Sequence, residues 1–386
     1  MLSAVLFTQN KLAAQAIEQI VEETGLLHLA SILDPSASVQ ETMGTLSALD
    51  PELFLADLTE WQLLAPLRRA MLDSRLRARW IGFAPELDYS QEQILTKAGI
   101  SPSLREPFGP EELTKAAFDA FHNGPNGPPA VRPGLWAFLP SKAGGGCSTL
   151  ALNTAGALQQ LSRQGVLVIE SDARSGSFSM LMDLSPAKPV LEALECAAEM
   201  TGVEWQKFHV ALGGVHILPA DPSKPGRLPT WASYHHLLHF LDNHYRHILV
   251  DLPEVVNDAT AEVVRRAENV FVVCTPETLS VKMTEIRCQD LIHRGVPRER
   301  IRLVVTRFKR EDASIADLEK NLGWPVYATL ANDYNSVRKS IKDASLVSSG
   351  SAFGKDCRTL AQMLSRADDA PAPVGALGRW SRLLAK

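Results

Sequence analysis

Residues 141–149 read Ser141-Lys142-Ala143-Gly144-Gly145-Gly146-Cys147-Ser148-Thr149, between the apolar run Leu135–Pro140 and Leu150-Ala151-Leu152-Asn153. Consecutive glycines let the backbone turn its N–H groups inward and approach an anion closely. A helix opening just after them points its positive end at the same place. A buried strand, a glycine loop and a helix start make a phosphate-binding loop, in which Ala143, Gly144, Gly145, Gly146, Cys147, Ser148 and Thr149 would line the ligand and the Ser148 hydroxyl would ligate Mg²⁺. One residue departs from the usual Gly-Lys-Ser/Thr ending: Cys147 stands in the lysine slot, and Lys142 opens the loop instead. The missing lysine neutralises charge on the β and γ phosphates. A neutral thiol cannot do so, and a thiolate would repel phosphate. Retained binding with weak or absent hydrolysis is therefore expected. A loop that binds nothing is the plainer alternative. A lesser one is a redox-active Cys147, its thiol pKa lowered by the helix N-terminus.

Further groups belong with this loop. Asp172 follows the strand Gly165–Glu170, where it could orient an attacking water. Asp251 ends the apolar strand Ile248-Leu249-Val250, the Walker B place at which a carboxylate holds the metal. Thr306 and Arg307 end the strand that starts at Arg302, where a nucleobase would sit. Strand ends converge at the carboxyl edge of a parallel sheet, and ligands bind there.

The elements that must position these groups alternate along the chain. From residue 135 the strand patterns are Leu135–Pro140, Gly165–Glu170, Gly214–Ala220, Ile248–Asp251, Asn269–Cys274 and Arg302–Arg307. Helical patterns run over Ser148–Leu161, Val190–Glu199 and Trp231–His244. Continuous β-branched runs place the strands inside a central parallel sheet covered on both faces. Residues 1–121 alternate in the same way. Their strands are Ala4–Phe7, Leu27–Leu33, Leu53–Asp57, Trp80–Phe83 and Gly99–Leu104, and their helices Lys11–Glu23, Ser38–Leu49 and Glu111–Phe121. The Pro- and Gly-rich stretch 122–134 can continue neither element and reads as a linker. The expected organisation is thus an α/β domain over 1–121, a linker over 122–134, a P-loop NTPase domain over 135–368 and a tail over 369–386.

Composition bounds the rest. At 386 residues two domains are the natural expectation, and 45% apolar with 22% charged residues describes a soluble globular chain. A net charge of −5 gives no general pull toward nucleic acid, so no nucleic-acid partner is expected. No apolar run reaches the roughly 18–20 residues of a membrane span, and no signal-peptide pattern opens the chain. Cys147, Cys196, Cys274, Cys288 and Cys357 form no close pair, which fits a reducing cytoplasm.

Two resemblances carry these readings further. In residues 1–121, the βα units, Asp57 ending the third strand and Arg105-Glu106-Pro107-Phe108 after the fifth resemble a response-regulator receiver domain. That family phosphorylates the aspartate, holds metal with an acidic pair after the first strand and places a lysine before Pro-Phe. Here Thr8-Gln9-Asn10 and Glu106 stand instead, so the resemblance implies a pseudo-receiver used for docking or dimerisation. Roughly from Gly134 to Leu364 the chain resembles the deviant-Walker (MinD/ParA-like) ATPases, whose loop reads Lys-Gly-Gly-x-Gly-Lys-Thr-Thr. The resemblance makes Lys142 the signature lysine that reaches across a dimer. Asp172 becomes the catalytic aspartate, Asp251 the Walker B aspartate, Thr275-Pro276-Glu277 the Pro-Glu turn, and Thr306 the base-contacting position. Leu330-Ala331-Asn332-Asp333-Tyr334 is similar to the family's Pro-x-Asp segment with the Pro lost. A degenerate receiver ahead of such a domain, with the loop lysine missing, resembles the CpaE/TadZ proteins of Tad (Flp) pilus assembly. That implies an ATP- and Mg²⁺-binding homodimer acting as a localisation hub for pilus or secretion machinery, cytoplasmic or peripheral at the inner membrane or cell pole. The alternatives are an active ParA/MinD-type ATPase in partition or cell positioning, and a response-regulator output protein.

Weaker features complete the reading. His235 and His239 have the i, i+4 spacing of a metal pair without the metalloprotease glutamate, and read as surface or satisfied histidines. Arg307-Phe308-Lys309-Arg310-Glu311-Asp312 reads as a solvated loop. After the spacer Ala370–Val374, Leu377, Trp380, Leu383 and Leu384 share a helical face with Arg379, Arg382 and Lys386 around it. That pattern suits a short interfacial anchor making weak peripheral membrane contact.

Overall fold

The computed structural model describes residues 1–60, 63–64, 78–86, 100, 103–122, 131–162, 165–184, 188–224, 226, 228–309 and 314–367. Most of the expected linker, the end of the charge run (310–312) and the tail expected over 369–386 lie outside the described residues. The chain divides into two compact units, Met1–Ala130 and Val131–Lys386.

In the first unit, β1 (Leu2–Phe7), β2 (Leu27–Leu33), β3 (Leu53–Asp57), β4 (Arg79–Ala84) and β5 (Ser103–Arg105) form a parallel sheet in the order β2-β1-β3-β4-β5. This is the flavodoxin-like order, with its switch point between β1 and β3. The first helix, Lys11–Thr24, starts where the Asn10 side chain accepts from the N–H groups of Leu12 and Ala13. Its apolar stripe is narrower in the fold than in the sequence. Ile17 and Val21 are buried, whereas Leu12 is 78% exposed. Phe7, Phe54 and Trp80 pack together, with ring centroids 4.7–5.8 Å apart.

The second unit is built on an eight-stranded sheet ordered β13-β12-β11-β6-β10-β7-β9-β8. The strands are β6 (Arg132–Pro140), β7 (Val166–Glu170), β8 (Val210–Leu212), β9 (Val215–Leu218), β10 (His247–Asp251), β11 (Ala267–Cys274), β12 (Ile301–Phe308) and β13 (Val326–Ala331). All neighbours are parallel except β8 and β9, which form an antiparallel hairpin at one edge. Leu135 to Leu139 at the sheet's centre are each 0% exposed, as a strand covered on both faces requires. The leucine and phenylalanine side chains among them each contribute about 1.5–3 kcal/mol through burial.

The structure differs from the sequence reading in several places. β6 begins at Arg132, inside the stretch read from composition as linker. Arg132 there pairs with Ala267 in the ladder and forms an ion pair with Asp242, and Gly134 N–H donates to Glu268 Oε2 at 2.8 Å. The helix read over Val190–Glu199 stops at Glu195, and a short 3₁₀ turn follows over Ala197–Glu199. β8 and β13 carry no strong alternation because they lie toward the sheet edges, where most of their residues are only half-buried. No helix among the described residues is long and apolar enough to cross a membrane.

Candidate functional site

Adjacent parallel strands bring the sequence-predicted groups to one edge. Asp251 lies in register with Phe138 of β6 and Glu170 of β7, so β7 and β10 end level and β6 runs on to Pro140. The loop after β6 leads into the helix Cys147–Leu161. Gly144 (φ +79°) and Gly146 (φ +87°) are left-handed, a conformation strained for any residue with a Cβ. Gly146 is the helix N-cap and no side chain caps the first turn, so its N–H groups are not claimed from within the helix. The helix is held firmly in place. Its residues Leu150 to Gly156 are all buried, and the helix Ala352–Ala367 packs against it.

Cys147 and Ser148 open that helix and face the Asp251 carboxylate, which is 3% exposed. Burial pushes Asp251 up to about 7; the Ser148 and Cys147 side chains oppose that rise, while the charges of Glu170 and Asp172 add to it. One of its oxygens, Oδ1, is buried with no hydrogen-bond partner among the described residues. An orphaned carboxylate oxygen beside a hydroxyl fits a hard divalent cation. No three His, Cys, Asp or Glu side chains of the described residues gather around a metal position. A cation at Asp251 would therefore depend on Ser148 and on the ligand's own oxygens, the manner in which Mg²⁺ is usually held. Cys147 is corrected by the same geometry. Burial first, then the Asp251 charge and the thiol's hydrogen bond to it, push its pKa well up, the reverse of what a helix N-terminus alone would do.

Asp172 is half-exposed just past β7, and its Oδ1 accepts the N–H groups of Arg174 (3.3 Å) and Ser175 (2.9 Å). Beside it stands a carboxylate that sequence reasoning passed over. Glu170 is 1% exposed and accepts backbone N–H groups from Ser177, Phe178 and Ala220. Burial holds it at about 7 despite those three donors. Glu170 thereby fastens the turn that carries Asp172 to the end of β9. The turn is tight, since a Cβ on Gly176 would lie 2.6 Å from Ala220 Cβ and 2.7 Å from both Asp172 O and Glu170 Cδ. A lone carboxylate closing the apolar run Val166–Ile169 was the available signal.

The loop's outer rim is tied by side chains from β12 and from the segment after β10. Thr306, 3% exposed, donates to Gly145 O at 2.6 Å and also reaches Cys274 O at 3.1 Å. Its hydroxyl thus braces loop against sheet. Arg307 is left-handed (φ 52°) at a break in the β12–β13 register, and its Nη2 donates to Gly144 O at 2.6 Å. Register breaks of this kind re-aim side chains. Glu254 accepts from Ala143 N–H at 3.0 Å and from Arg287 Nη2 at 2.9 Å. Ser141 and Ser280 hydroxyls meet at 2.9 Å, and Ser280 Oγ accepts the N–H of Thr275 in the Thr275-Pro276-Glu277 turn. Lys142, half-exposed, contributes its carbonyl to Gly145 N–H at 3.3 Å. Glu254, Arg287 and Ser280 follow no spacing rule that the sequence alone would reveal.

In the first unit Asp57 is held by hydroxyls. Thr8 donates to Oδ2 at 2.9 Å, and the Thr59 N–H and hydroxyl donate to Oδ1 at 3.0 and 2.6 Å. Asn10 is committed to the helix cap, and burial followed by the Asp57 charge raises the pKa of Glu106. Of the histidines, His235 Nδ1 lies 3.2 Å from Glu262 Oε1.

No protein-family model matches the chain. No curated protein does so either. Solved structures are similar in fold. A ParA family ATPase from Chlorobium tepidum superposes with a TM-score of 0.55 at 17% identity, over 60% of this chain and 99% of that one. MinD in the MinC:MinD cell division complex of Aquifex aeolicus gives 0.50 at 18% identity, over 63% and 99%. A Borrelia burgdorferi plasmid partition protein bound to AMPPNP gives 0.50 at 15%, over 61% and 100%. Each match is longer than the first unit and so takes in much of the second. The chain therefore carries the α/β fold, with a mostly parallel sheet, of the ParA- and MinD-type P-loop ATPases.

Proposed function

We propose that the chain is an ATP-binding homodimer with weak or absent hydrolysis, serving as an assembly and localisation hub of a Tad (Flp) type pilus. One observation carries this reading: a loop with left-handed Gly144 and Gly146 runs into a helix N-terminus, yet the side chain in the lysine slot is a buried neutral thiol. The N–H groups of Gly144 and of Gly146 to Thr149 would cradle the phosphates, joined by the Ala143 N–H once Glu254 leaves it, and Ser148 with Asp251 would hold Mg²⁺. The ion would supply the charge neutralisation that Cys147 cannot. Asp172 would orient water, and Lys142 would reach the partner's nucleotide across the dimer. Thr306 and Arg307 would flank the base while bracing the loop. The first unit is read as a pseudo-receiver for docking, since hydroxyls already claim both oxygens of Asp57. The segment Leu377–Lys386 would add weak membrane contact at the inner face or pole, which vesicle co-sedimentation with and without it would test.

Two measurements test the reading. A fluorescent ATP analogue with Mg²⁺ should bind the full chain, while phosphate release stays near background and rises in Cys147→Lys. Absence of binding overturns the reading and leaves the loop a structural relic. Steady turnover abolished by Asp172→Ala favours the second reading, an active ATPase of partition or positioning; the similarity to MinD and partition folds supports that alternative. A strain lacking the chain should lose surface pili and keep its plasmids.

A further inference from the structure

The backbone N–H groups of a phosphate loop are its anion-binding groups, and one of them is already engaged by an anion of the chain itself. Ala143 N–H donates to Glu254 Oε2 at 3.0 Å. The other oxygen of the same carboxylate accepts from Arg287 Nη2 at 2.9 Å. The Glu254 side chain is 36% exposed at the rim, so it is free to swing outward, whereas the Arg287 side chain is 10% exposed on the helix Thr278–His293. Arg287 Nε is buried without a partner among the described residues, leaving that guanidinium with capacity for a further acceptor. Glu254 follows Asp251 by three residues. The segment leaving the candidate metal carboxylate therefore also carries the carboxylate that sits on the loop.

We propose that Glu254 is an internal anion seated on the phosphate loop and that it determines which ligands the loop admits. A polyphosphate needs the Ala143 N–H and repels the Glu254 charge, so it must displace that side chain toward Arg287 or into solvent. A ligand without phosphate does not compete for this N–H and meets no such barrier. Glu254 thus lowers the loop's affinity for phosphate ligands and leaves uncharged ligands unaffected. This inference rests on the nucleotide reading above.

The test uses the full chain and titrates Mg²⁺-AMPPNP, inorganic triphosphate and adenosine against wild type, Glu254→Gln and Glu254→Asp. Glu254→Gln keeps the shape and removes the charge. Glu254→Asp keeps the charge but shortens its reach by one methylene, and it covers the case in which the glutamine variant fails to fold. Glu254→Gln should bind AMPPNP and inorganic triphosphate at least about tenfold more tightly than wild type, about 1.4 kcal/mol, and Glu254→Asp, which keeps the charge but withdraws it from the Ala143 N–H, should tighten them by a smaller factor. Adenosine affinity should be unchanged. Unchanged or weaker polyphosphate binding in folded variants overturns the inference and leaves the nucleotide reading intact. Equal tightening of adenosine also overturns it, because the effect would then not be one of charge. Failure of all three chains to bind any phosphate ligand overturns the nucleotide reading, and the inference falls with it.

Discussion

Asp251→Asn should make the ligand-free chain more stable at pH 8 and remove most of a pH dependence that wild type displays. Burial holds the folded carboxyl at about 7, against an ordinary value of 3.8. Between those values the folded chain keeps a proton that the unfolded chain has released. The stabilisation from this group is therefore full below the ordinary carboxyl pKa and is lost as pH rises through about 7. Ionising the buried acid costs at most about 4 kcal/mol. Water entering the loop and the neighbouring Glu170, which titrates in the same range, reduce that figure and leave some slope in the variant. In a unit of this size each kcal/mol moves Tm by about 2–4 °C, so the asparagine variant should melt several degrees higher at pH 8 and draw level with wild type only below the ordinary carboxyl value of 3.8. Differential scanning calorimetry from about pH 3.5 to about pH 8.5 in chelator reads this directly. Repeating it with Mg²⁺ and nucleotide should reverse the order at pH 8, because Asn cannot replace the carboxylate on the cation. Parallel pH curves for the two chains, or a variant that melts lower at pH 8 without ligand, would refute the argument.

Other expectations follow from single contacts. Gly176→Ala forces a methyl group against Asp172 O and Glu170 Cδ at 2.7 Å, so it should cost about 1–3 kcal/mol in urea unfolding. Thr306→Val keeps shape but removes the hydroxyl that donates to Gly145 O and lies near Cys274 O, a loss of about 1–3 kcal/mol read in the same assay. Native Cys147 should resist iodoacetamide at pH 8, because burial and Asp251 keep it a thiol. All five cysteines should label once the chain is unfolded, with peptide mass spectrometry locating the sites.

Much of the fold was legible in the sequence because buried parallel strands are continuous apolar runs and little else in a soluble chain resembles them. Leu53–Asp57 matches residue for residue, and Leu27–Leu33 matches too although it is a half-buried edge strand. The loop, Asp251 and Asp172 were legible for a related reason: a glycine run or a carboxylate just past such a strand marks the sheet's ligand edge. The edge strands Val210–Leu212 and Val326–Ala331 were not, since the first is only three residues long and the second is mostly half-buried. Arg132 was misread because composition describes a stretch, whereas its ladder pairing to Ala267 depends on a strand some 130 residues away.

The sequence by itself determined the residue types at the loop, including the thiol in place of a lysine, and their order along the chain. It did not determine what surrounds that thiol. A helix N-terminus taken alone lowers a cysteine pKa, but tertiary packing buried Cys147 beside Asp251 and reversed the sign. Only the folded sheet brought Glu170, Asp172 and Asp251 together, and only long-range packing put Glu254 on Ala143 and Arg307 on Gly144. Local pattern follows from neighbours along the chain, whereas burial and charge coupling depend on distances that exist only once the strands are laid side by side.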